Sequence, residues 1–278
     1  MIKRLFNLNR FLLVVWGEVQ RTFQEKVTYR TQMVLGLLTG FVGLAQFAIL
    51  AHYINLGGTP PGLQEYGGDL ISFMIVGSLF SAIAIMMMNS IKMQIQQEQQ
   101  RGTLEAIVCS RAGLFQFLLA GGIFGITSSL TSSIVIFAAF GSIFDFEVII
   151  NPLGLIISLS VSIICMWLIG LCAGAYILTS KQGEPVTWVV TTLLTLFSGV
   201  MYPISVFPDF IVSVLKHLPT AGMLHAIRIS LSSGAPTDEV ISALTPALIC
   251  IFVLILVSAK MWNHNLKKVR LDGTLGTY

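Results

Sequence analysis

The chain has 278 residues, of which 55% are hydrophobic and only 10% are charged, and its formal net charge is +3 at pH 7. Soluble globular domains carry about 25% charged residues, so this composition excludes a protein whose surface lies mostly in water. The small positive charge is no sign of nucleic-acid binding, and none is expected. The sequence predicts an all-α protein that crosses a lipid bilayer several times, as a single transmembrane domain over residues 1–278.

An amphipathic segment at residues 5–25 precedes the first long apolar stretch. Its apolar residues recur at steps of three and four, which places them on one face of a helix. The members of this stripe are Leu5, Leu8, Leu12, Val15, Val19 and Phe23. Such a helix fits flat on the membrane surface, and the alternative is a mobile basic tail.

Six apolar stretches approach the length of a membrane-spanning helix, which needs about 20 residues. They cover residues 32–51, 70–90, 114–144, 152–178, 185–201 and 240–259, and none contains Asp, Glu, Lys or Arg. The fifth is short for a full crossing. Glycines at four-residue spacing permit close contact between helices: Gly36/Gly40, Gly121/Gly125 and Gly170/Gly174. We therefore predict six transmembrane helices.

The positive charges predict the orientation. If six spans are assumed, all but two of the 16 Lys and Arg residues, namely Lys216 and Arg228, fall on the N-terminal side of the membrane. Lys and Arg are enriched in cytoplasmic loops, and an even number of spans puts both ends of the chain on one side. Both termini are predicted to be cytoplasmic.

The connection at residues 92–111, KMQIQQEQQRGTLEAIVCSR, is polar and long enough for a helix outside the membrane, followed by a turn at Gly102. Thr103 is placed to cap a short second helix through Leu104, Glu105 and Ala106. The segment is either a docking surface for another protein or a solvated connector, and composition alone does not decide between them.

The connection at residues 203–236 lies on the opposite side and is strongly apolar, although Pro203, Pro208 and Pro219 interrupt it. Proline stops a helix from continuing, so this region is predicted to form short re-entrant helices in the outer leaflet. Irregular backbone at that depth must be buried against protein. A seventh span is rejected because Lys216 and His217 would sit near its middle.

No pattern for covalent chemistry is present. The sequence contains no HExxH, GxSxG or GxxxxGK[ST] motif, and its four cysteines form no CxxC pair. We predict no catalytic, cofactor-binding or metal-binding residue and no enzyme activity in this chain. If ATP drives the protein, another polypeptide must bind it. The lack of ionisable residues in the spans argues against coupling to an ion gradient.

Three segments resemble the membrane subunits of type-2 ATP-binding-cassette (ABC) exporters. Residues 98–105, EQQRGTLE, resemble the E..(R/K)GTLE signature of that family. Pro203, Phe207, Pro208 and Pro219, with Arg228 following, are similar to its re-entrant region. Residues 267–275, KKVRLDGTL, are similar to its basic tail.

The resemblance implies a transport subunit that works with a separate nucleotide-binding ATPase, which would hold the ATP and magnesium, and with a second permease copy in a homo- or heterodimer. It assigns the contact with the ATPase to Glu98, Arg101, Gly102, Thr103, Leu104 and Glu105. The lack of a fused ATPase favours a prokaryotic inner or plasma membrane.

Export is expected by the same resemblance. Polysaccharide exporters of this family usually carry a G-x-x-W element before the first span, and residues 28–33, TYRTQM, lack its tryptophan. This departure favours a drug, a lipid or another amphiphile as substrate. The alternatives are an ATP-independent channel or membrane scaffold, and an ion-gradient-driven transporter.

Overall fold

A computed structural model describes residues 8–28, 30–55, 70–110, 113–144, 150–180 and 184–272. Within these ranges the chain forms ten α-helices and no strand, which confirms the helical fold class for the part of the chain described. The helices are α1 (Leu8–Thr28), α2 (Arg30–Asn55), α3 (Leu70–Gln100), α4 (Leu104–Cys109), α5 (Gly113–Phe144), α6 (Pro152–Ser180), α7 (Glu184–Phe197), α8 (Asp209–Leu215), α9 (Pro219–Ser232) and α10 (Thr237–Asp272). Leu5, Arg111, Gly273 and Leu275 of the predicted segments lie outside the described residues.

Four of the described helices, α3, α5, α6 and α10, are long and apolar enough to cross a membrane. A fifth span results if α8 and α9, which meet at 83°, count as one broken span. The described helices thus give four or five candidate spans rather than the predicted six. α2 covers the first predicted stretch, and its apolar segment among the described residues includes residues 34–46.

The fifth predicted stretch is shorter than the sequence suggested. α7 has 14 residues, about 21 Å of helix, whereas the hydrocarbon core is ~30 Å thick. The prediction that this stretch runs to residue 201 is wrong, because the helix ends at Phe197 and Gly199 adopts φ +74°. A positive φ is costly for residues other than glycine and does not continue a right-handed helix.

The centre of the bundle is the packing of α6 between α3 and α10. A Cβ atom at Gly170 would lie 2.7 Å from the carbonyl oxygen of Met88, and one at Gly174 would lie 2.6 Å from Cγ2 of Ile91. These two glycines therefore let the backbones of α3 and α6 approach closely, as their spacing predicted. Gly36 instead faces open space, with nothing within 4 Å of a Cβ atom there.

Side-chain hydrogen bonds join α10 to α6. Trp262 Nε1 donates to the carbonyl oxygen of Leu171 at 3.0 Å, and Asn265 Nδ2 donates to that of Ala175 at 2.6 Å. Buried Leu104 and Leu114 belong to the same apolar cluster as Val269 near the end of α10. The C-terminal ends of α3, α6 and α10 therefore lie together, and we call this the basic end because exposed lysines of α10 lie there.

α9 runs beside α10 in the opposite direction. At the opposite end of the bundle, the backbone N–H of Asn151 donates to the carbonyl oxygen of Ser230 at 2.8 Å. Further in, a Cβ atom at Gly222 would lie 2.5 Å from the carbonyl oxygen of Ala243, a residue about 9 Å along α10 from its start. The N-terminus of α9 therefore points into the interior of the bundle.

Candidate coupling site

The segment after α3 is shaped by a glycine turn. α3 continues without a break from its apolar part to Gln100, so the predicted span and the predicted loop helix form one helix of 31 residues. Gly102 follows with φ +69°, and the N–H of Thr103 donates to the carbonyl oxygen of Glu98 at 2.9 Å. The turn requires glycine for its backbone conformation alone, because a Cβ atom at Gly102 would meet nothing within 4 Å.

A buried carboxylate lies at the centre of this segment. Glu98 is only 2% exposed, and its Oε1 accepts hydrogen bonds from Arg21 at 3.0 Å and from Arg101 at 3.5 Å. Thr103 Oγ1 donates to the other oxygen, Oε2. Arg21 also bonds Glu18 Oε1 at 2.9 Å. Because a buried charge is costly unless it is paired and hydrogen-bonded, this network keeps Glu98 in its buried position.

Arg21 connects three helices. It belongs to α1, contacts Glu98 of α3, and lies 5.4 Å from the centre of the Phe117 ring of α5. A guanidinium group at that distance from an aromatic face is attracted to it. Through Arg21, the polar face of α1 is thus bound to the bundle at its basic end.

Part of the apolar surface of α1 faces away from the bundle. Leu12 and Phe23 of the predicted stripe are 55% and 61% exposed and the neighbouring Trp16 is 63% exposed, whereas Val15 and Val19 of the stripe are half-buried. Glu18, on the polar side, is 9% exposed. A helix in water would show the reverse arrangement, with its apolar face covered. This orientation fits the predicted helix at the membrane surface, with lipid as the natural contact of the exposed stripe.

The six predicted coupling residues divide into two groups. Glu98 and Leu104, 2% and 1% exposed, hold the segment from inside. The exposed group consists of Arg101, Gly102, Thr103 and Glu105. The predicted short helix exists as α4, but the prediction that Thr103 caps it with its side chain is wrong. Its hydroxyl is bound to Glu98 instead, by the bond to Oε2 and by a second to the backbone carbonyl.

The predicted re-entrant residues lie elsewhere in the chain fold and form no part of this network. Pro203 and Pro208 precede the 3₁₀ turn Ile204–Val206 and α8, and Pro219 is the first residue of α9. The Phe207 ring packs edge-on against Tyr202, with 5.4 Å between the ring centres. Each proline therefore precedes or begins a helical segment, where its missing N–H costs nothing.

Arg228 is a second buried charge, at the opposite end of the bundle. It is 5% exposed, and its guanidinium donates to the carbonyl oxygens of Gly199 at 2.9 Å, Val200 at 3.0 Å and Phe73 at 3.2 Å. Its central carbon lies 3.4 Å from the centre of the Phe73 ring. One feature of the sequence marks this position, namely a lone arginine within the apolar run MLHAIRISL.

Arg21 and Glu18 of this network were not predicted as functional positions. No spacing rule connects Arg21 to a carboxylate 77 residues away. Arg228 appeared only as part of a motif and as a positive charge on the opposite side.

Comparison with known protein families gives one match. The family described as "ABC-2 type transporter" matches residues 9–232, a range that includes α1 except its first residue, the turn after α3, and α9. No curated protein matches the chain.

Proposed function

The chain belongs to the ABC-2 type transporter family, and we propose that it is the subunit through which an ATP-driven exporter moves a small amphiphile outward. Membership makes it a membrane-spanning transport subunit that is not itself catalytic. The energy source in the proposal is a separate nucleotide-binding ATPase, which would hold ATP and magnesium. The observation that carries the proposal is the buried Glu98 network, because it joins an exposed polar turn to the end of α3 and, through Arg21, to α1 and α5.

The proposed contact with the ATPase is the outer surface of the turn and α4. Arg101, Gly102, Thr103 and Glu105 are exposed there, while Leu104 beneath them is fixed in an apolar cluster with Leu114, Phe117 and Val269. A surface of mixed charge on a rigid base suits specific contact with a protein partner, since its groups are already held in place.

The proposed path of force starts at this turn. A push on the turn would pass through Glu98 to Arg21 and α1, and through Leu104 to α5 and α10. α3 would carry it deeper, because Gly170 and Gly174 hold α3 tightly against α6. The exposed apolar face of α1 would let that helix slide along the membrane surface while Arg21 holds it to the bundle.

A second permease copy is part of the proposal. α7 leaves Trp188, Leu193 and Leu196 exposed, at 69%, 47% and 48%. α2 likewise exposes most of its described apolar side chains, with Leu44 as its buried one at 6%. Two helices that are loosely held by their own subunit suit an interface with another copy. The export path would then lie between the two copies. On this proposal α2 and α7 complete six spans.

The region around α8 and α9 is proposed to be re-entrant. The support is the direction of α9, whose C-terminal end contacts the start of α6 while Gly222, near its N-terminus, contacts Ala243 inside the bundle. The proposed setting is a prokaryotic inner or plasma membrane with both termini in the cytoplasm. The exposed Lys260, Lys267 and Lys268 of α10 at the basic end support that orientation.

The decisive experiment is purification of the chain from its native membrane in mild detergent, followed by identification of the proteins that accompany it and an ATPase assay. A stoichiometric nucleotide-binding subunit with ATP turnover is expected. A chain that purifies alone, without ATPase activity, would contradict the proposal and favour a channel or scaffold.

Variants separate docking from transmission. Glu105→Lys reverses the charge of an exposed docking residue and is expected to release the ATPase. Arg21→Met removes the link between α1 and Glu98, and is expected to leave the ATPase bound while transport-coupled turnover falls. Gln97→Ala, at an exposed position one turn before Arg101, is the matched control. If Glu105→Lys and Arg21→Met both behave like this control, the assignment of the coupling site is wrong.

A further inference from the structure

One side of the second half of α10 is exposed, and it changes from apolar to basic toward the C-terminal end of the helix. Because its residues recur at steps of three and four, they share one face. The apolar part consists of Ile249, Phe252, Val253 and Leu256, which are 51–67% exposed. The basic part consists of Lys260, His264 and Lys267, which are exposed as well. We call this set the outer face of α10.

The opposite side of the same helical turns is fixed to the bundle. Trp262 and Asn265 donate to backbone carbonyls of α6 at 3.0 and 2.6 Å, and Val269 is 3% exposed within an apolar cluster. These contacts hold α10 in one rotation about its own axis, which fixes the direction of the outer face. A ligand on that face would meet a helix that is already in place, so less conformational entropy is lost on binding.

The change from apolar to basic occurs at the depth of the lipid headgroups. The apolar run 240–259 has 20 residues, about 30 Å of helix, which matches the ~30 Å hydrocarbon core. Lys260 therefore lies at the boundary of that core, and Lys267 lies about 10 Å further along the axis. Helical side chains lean toward the N-terminus of their helix, here toward the bilayer, so the long side chain of Lys267 can reach back to the headgroups.

The charge of this segment has one sign. Residues 240–271 contain Lys260, Lys267, Lys268 and Arg270 but no Asp or Glu. Clusters of about four to eight Lys and Arg directly after a transmembrane helix are typical of segments that bind anionic lipid headgroups. A zwitterionic headgroup offers the same phosphate but carries its own positive charge, which lysines repel. The segment therefore favours an anionic lipid over a zwitterionic one.

The proposed ATPase is the competing occupant for the lysines. A water-soluble protein could contact Lys267 and Lys268, but it could not contact Phe252 and Val253, which lie within the hydrocarbon core when α10 crosses the bilayer. The apolar and basic parts form one continuous face, so a single ligand that matches both has an apolar chain joined to an anionic head. A phospholipid has this structure.

We infer that the outer face of α10 is a binding site for an anionic phospholipid. Its acyl chain lies along Phe252 and Leu256, and its phosphate lies at the level of His264. Lys260 and Lys267 precede and follow His264 by about one turn, so both ammonium groups can donate to the phosphate oxygens, as can a ring N–H of His264. The inference requires that α10 crosses the bilayer, and it does not rest on the proposed function.

The test uses native mass spectrometry of the full-length chain, purified in detergent without ATPase or nucleotide. The chain is incubated with equal amounts of phosphatidylglycerol and phosphatidylcholine that carry the same acyl chains, and the ratio of the two retained lipids is measured. The wild type is expected to retain phosphatidylglycerol in excess. Equal retention of the two lipids would overturn the inference.

Variants assign the preference to the basic part of the face. Lys260→Gln should lower the ratio of retained phosphatidylglycerol to phosphatidylcholine by about fivefold, and the double variant Lys260→Gln/Lys267→Gln by about 25-fold. Lys216→Gln, at the exposed lysine that ends α8, is the matched control and should keep the wild-type ratio. Size-exclusion elution checks that all three variants remain folded. If the double variant keeps the wild-type ratio, or if the control loses as much as the double variant, the site does not lie on α10.

The same double variant distinguishes the lipid from the ATPase. If it releases the ATPase from the native complex but retains phosphatidylglycerol as the wild type does, the lysines bind the ATPase and the inference is wrong. A wild-type chain that prefers phosphatidylglycerol but has no ATPase partner would contradict the exporter proposal and leave the lipid site standing.

Discussion

Replacing Arg228 with methionine tests how the opposite end of the bundle is held together. The arginine donates to the carbonyl oxygens of Gly199 and Val200 after α7 and to that of Phe73 in α3. Methionine matches the aliphatic part of the side chain but donates to none of them. The substitution therefore removes the donor that ties α9 to the turn after α7 while leaving the apolar packing similar.

The magnitude follows from two contributions that favour arginine and one that opposes it. Hydrogen bonds from a charged group contribute about 1.5–3 kcal/mol each, so the three bonds to Gly199, Val200 and Phe73, at 2.9, 3.0 and 3.2 Å, contribute about 4.5–9 kcal/mol. The contact with the Phe73 ring adds ~0.5–2 kcal/mol. Methionine avoids the desolvation of a buried cation, which offsets several kcal/mol. We expect a net loss of about 3 kcal/mol.

Thermal unfolding of the purified protein, followed by fluorescence, measures this loss. A change of about 3 kcal/mol corresponds to a midpoint lowered by ~6–12 °C. The unfolding midpoint of Arg228→Lys should lie between those of the wild type and Arg228→Met, because lysine keeps the charge but lacks the planar guanidinium that reaches several carbonyls. Lys216→Met, at an exposed cation of the same segment, is the control. If Arg228→Met unfolds at the same temperature as this control, the buried guanidinium does not hold α9 to the turn after α7.

Three further changes test the packing. Gly77→Ala places a Cβ atom against Val200 O and 2.7 Å from Arg228 Nη2. It should lower the free energy of unfolding by about 1–3 kcal/mol, measured by thermal unfolding. Gly43→Ala is the control and should not destabilise the protein, because nothing lies within 4 Å of a Cβ atom at Gly43. Gly102→Ala forces a positive φ on alanine at a cost of ~1–2 kcal/mol. The expected result is faster amide hydrogen exchange in the turn. Exchange at the wild-type rate would count against the turn geometry. Trp262→Phe loses the bond to α6 and should cost about 1 kcal/mol in unfolding, so an unchanged midpoint would show that this bond does not hold α10.

The long helices were predictable because one physical requirement determines them. The apolar stretches that became α3, α5, α6 and α10 are long enough to require burial in lipid or protein, and a helix is the structure that satisfies their backbone groups there. The C-terminal end of α3 was less predictable. The polar sequence after residue 91 indicated a separate loop helix, yet α3 simply continues to Gln100, because nothing in that stretch interrupts a helix.

The buried polar contacts could not be predicted from the chain alone. Glu98 belongs to a recognisable motif, but its burial depends on Arg21, which comes from a helix 77 residues earlier. The periodicity of α1 draws attention to its apolar stripe, whereas the contact with Glu98 is made by Arg21, a polar residue outside that stripe. The same holds for Arg228, because its three acceptors are backbone carbonyls. Every residue has a backbone carbonyl, so the sequence does not indicate which ones accept.

The two buried charges together suggest which parts of the subunit can move. Glu98 holds one end of α3 to α1, and Arg228 holds the other end to α9 and to the turn after α7. Between these points α3 is packed against α6 through Gly170 and Gly174. A helix fixed at both ends and along its length moves as part of a rigid body.

α2 and α7 have large exposed surfaces, so a shift of these two helices would break the fewest contacts within the subunit. Because α7 leads directly into the turn held by Arg228, a shift of α7 would change the distances from the Arg228 guanidinium to the carbonyl oxygens of Gly199 and Val200.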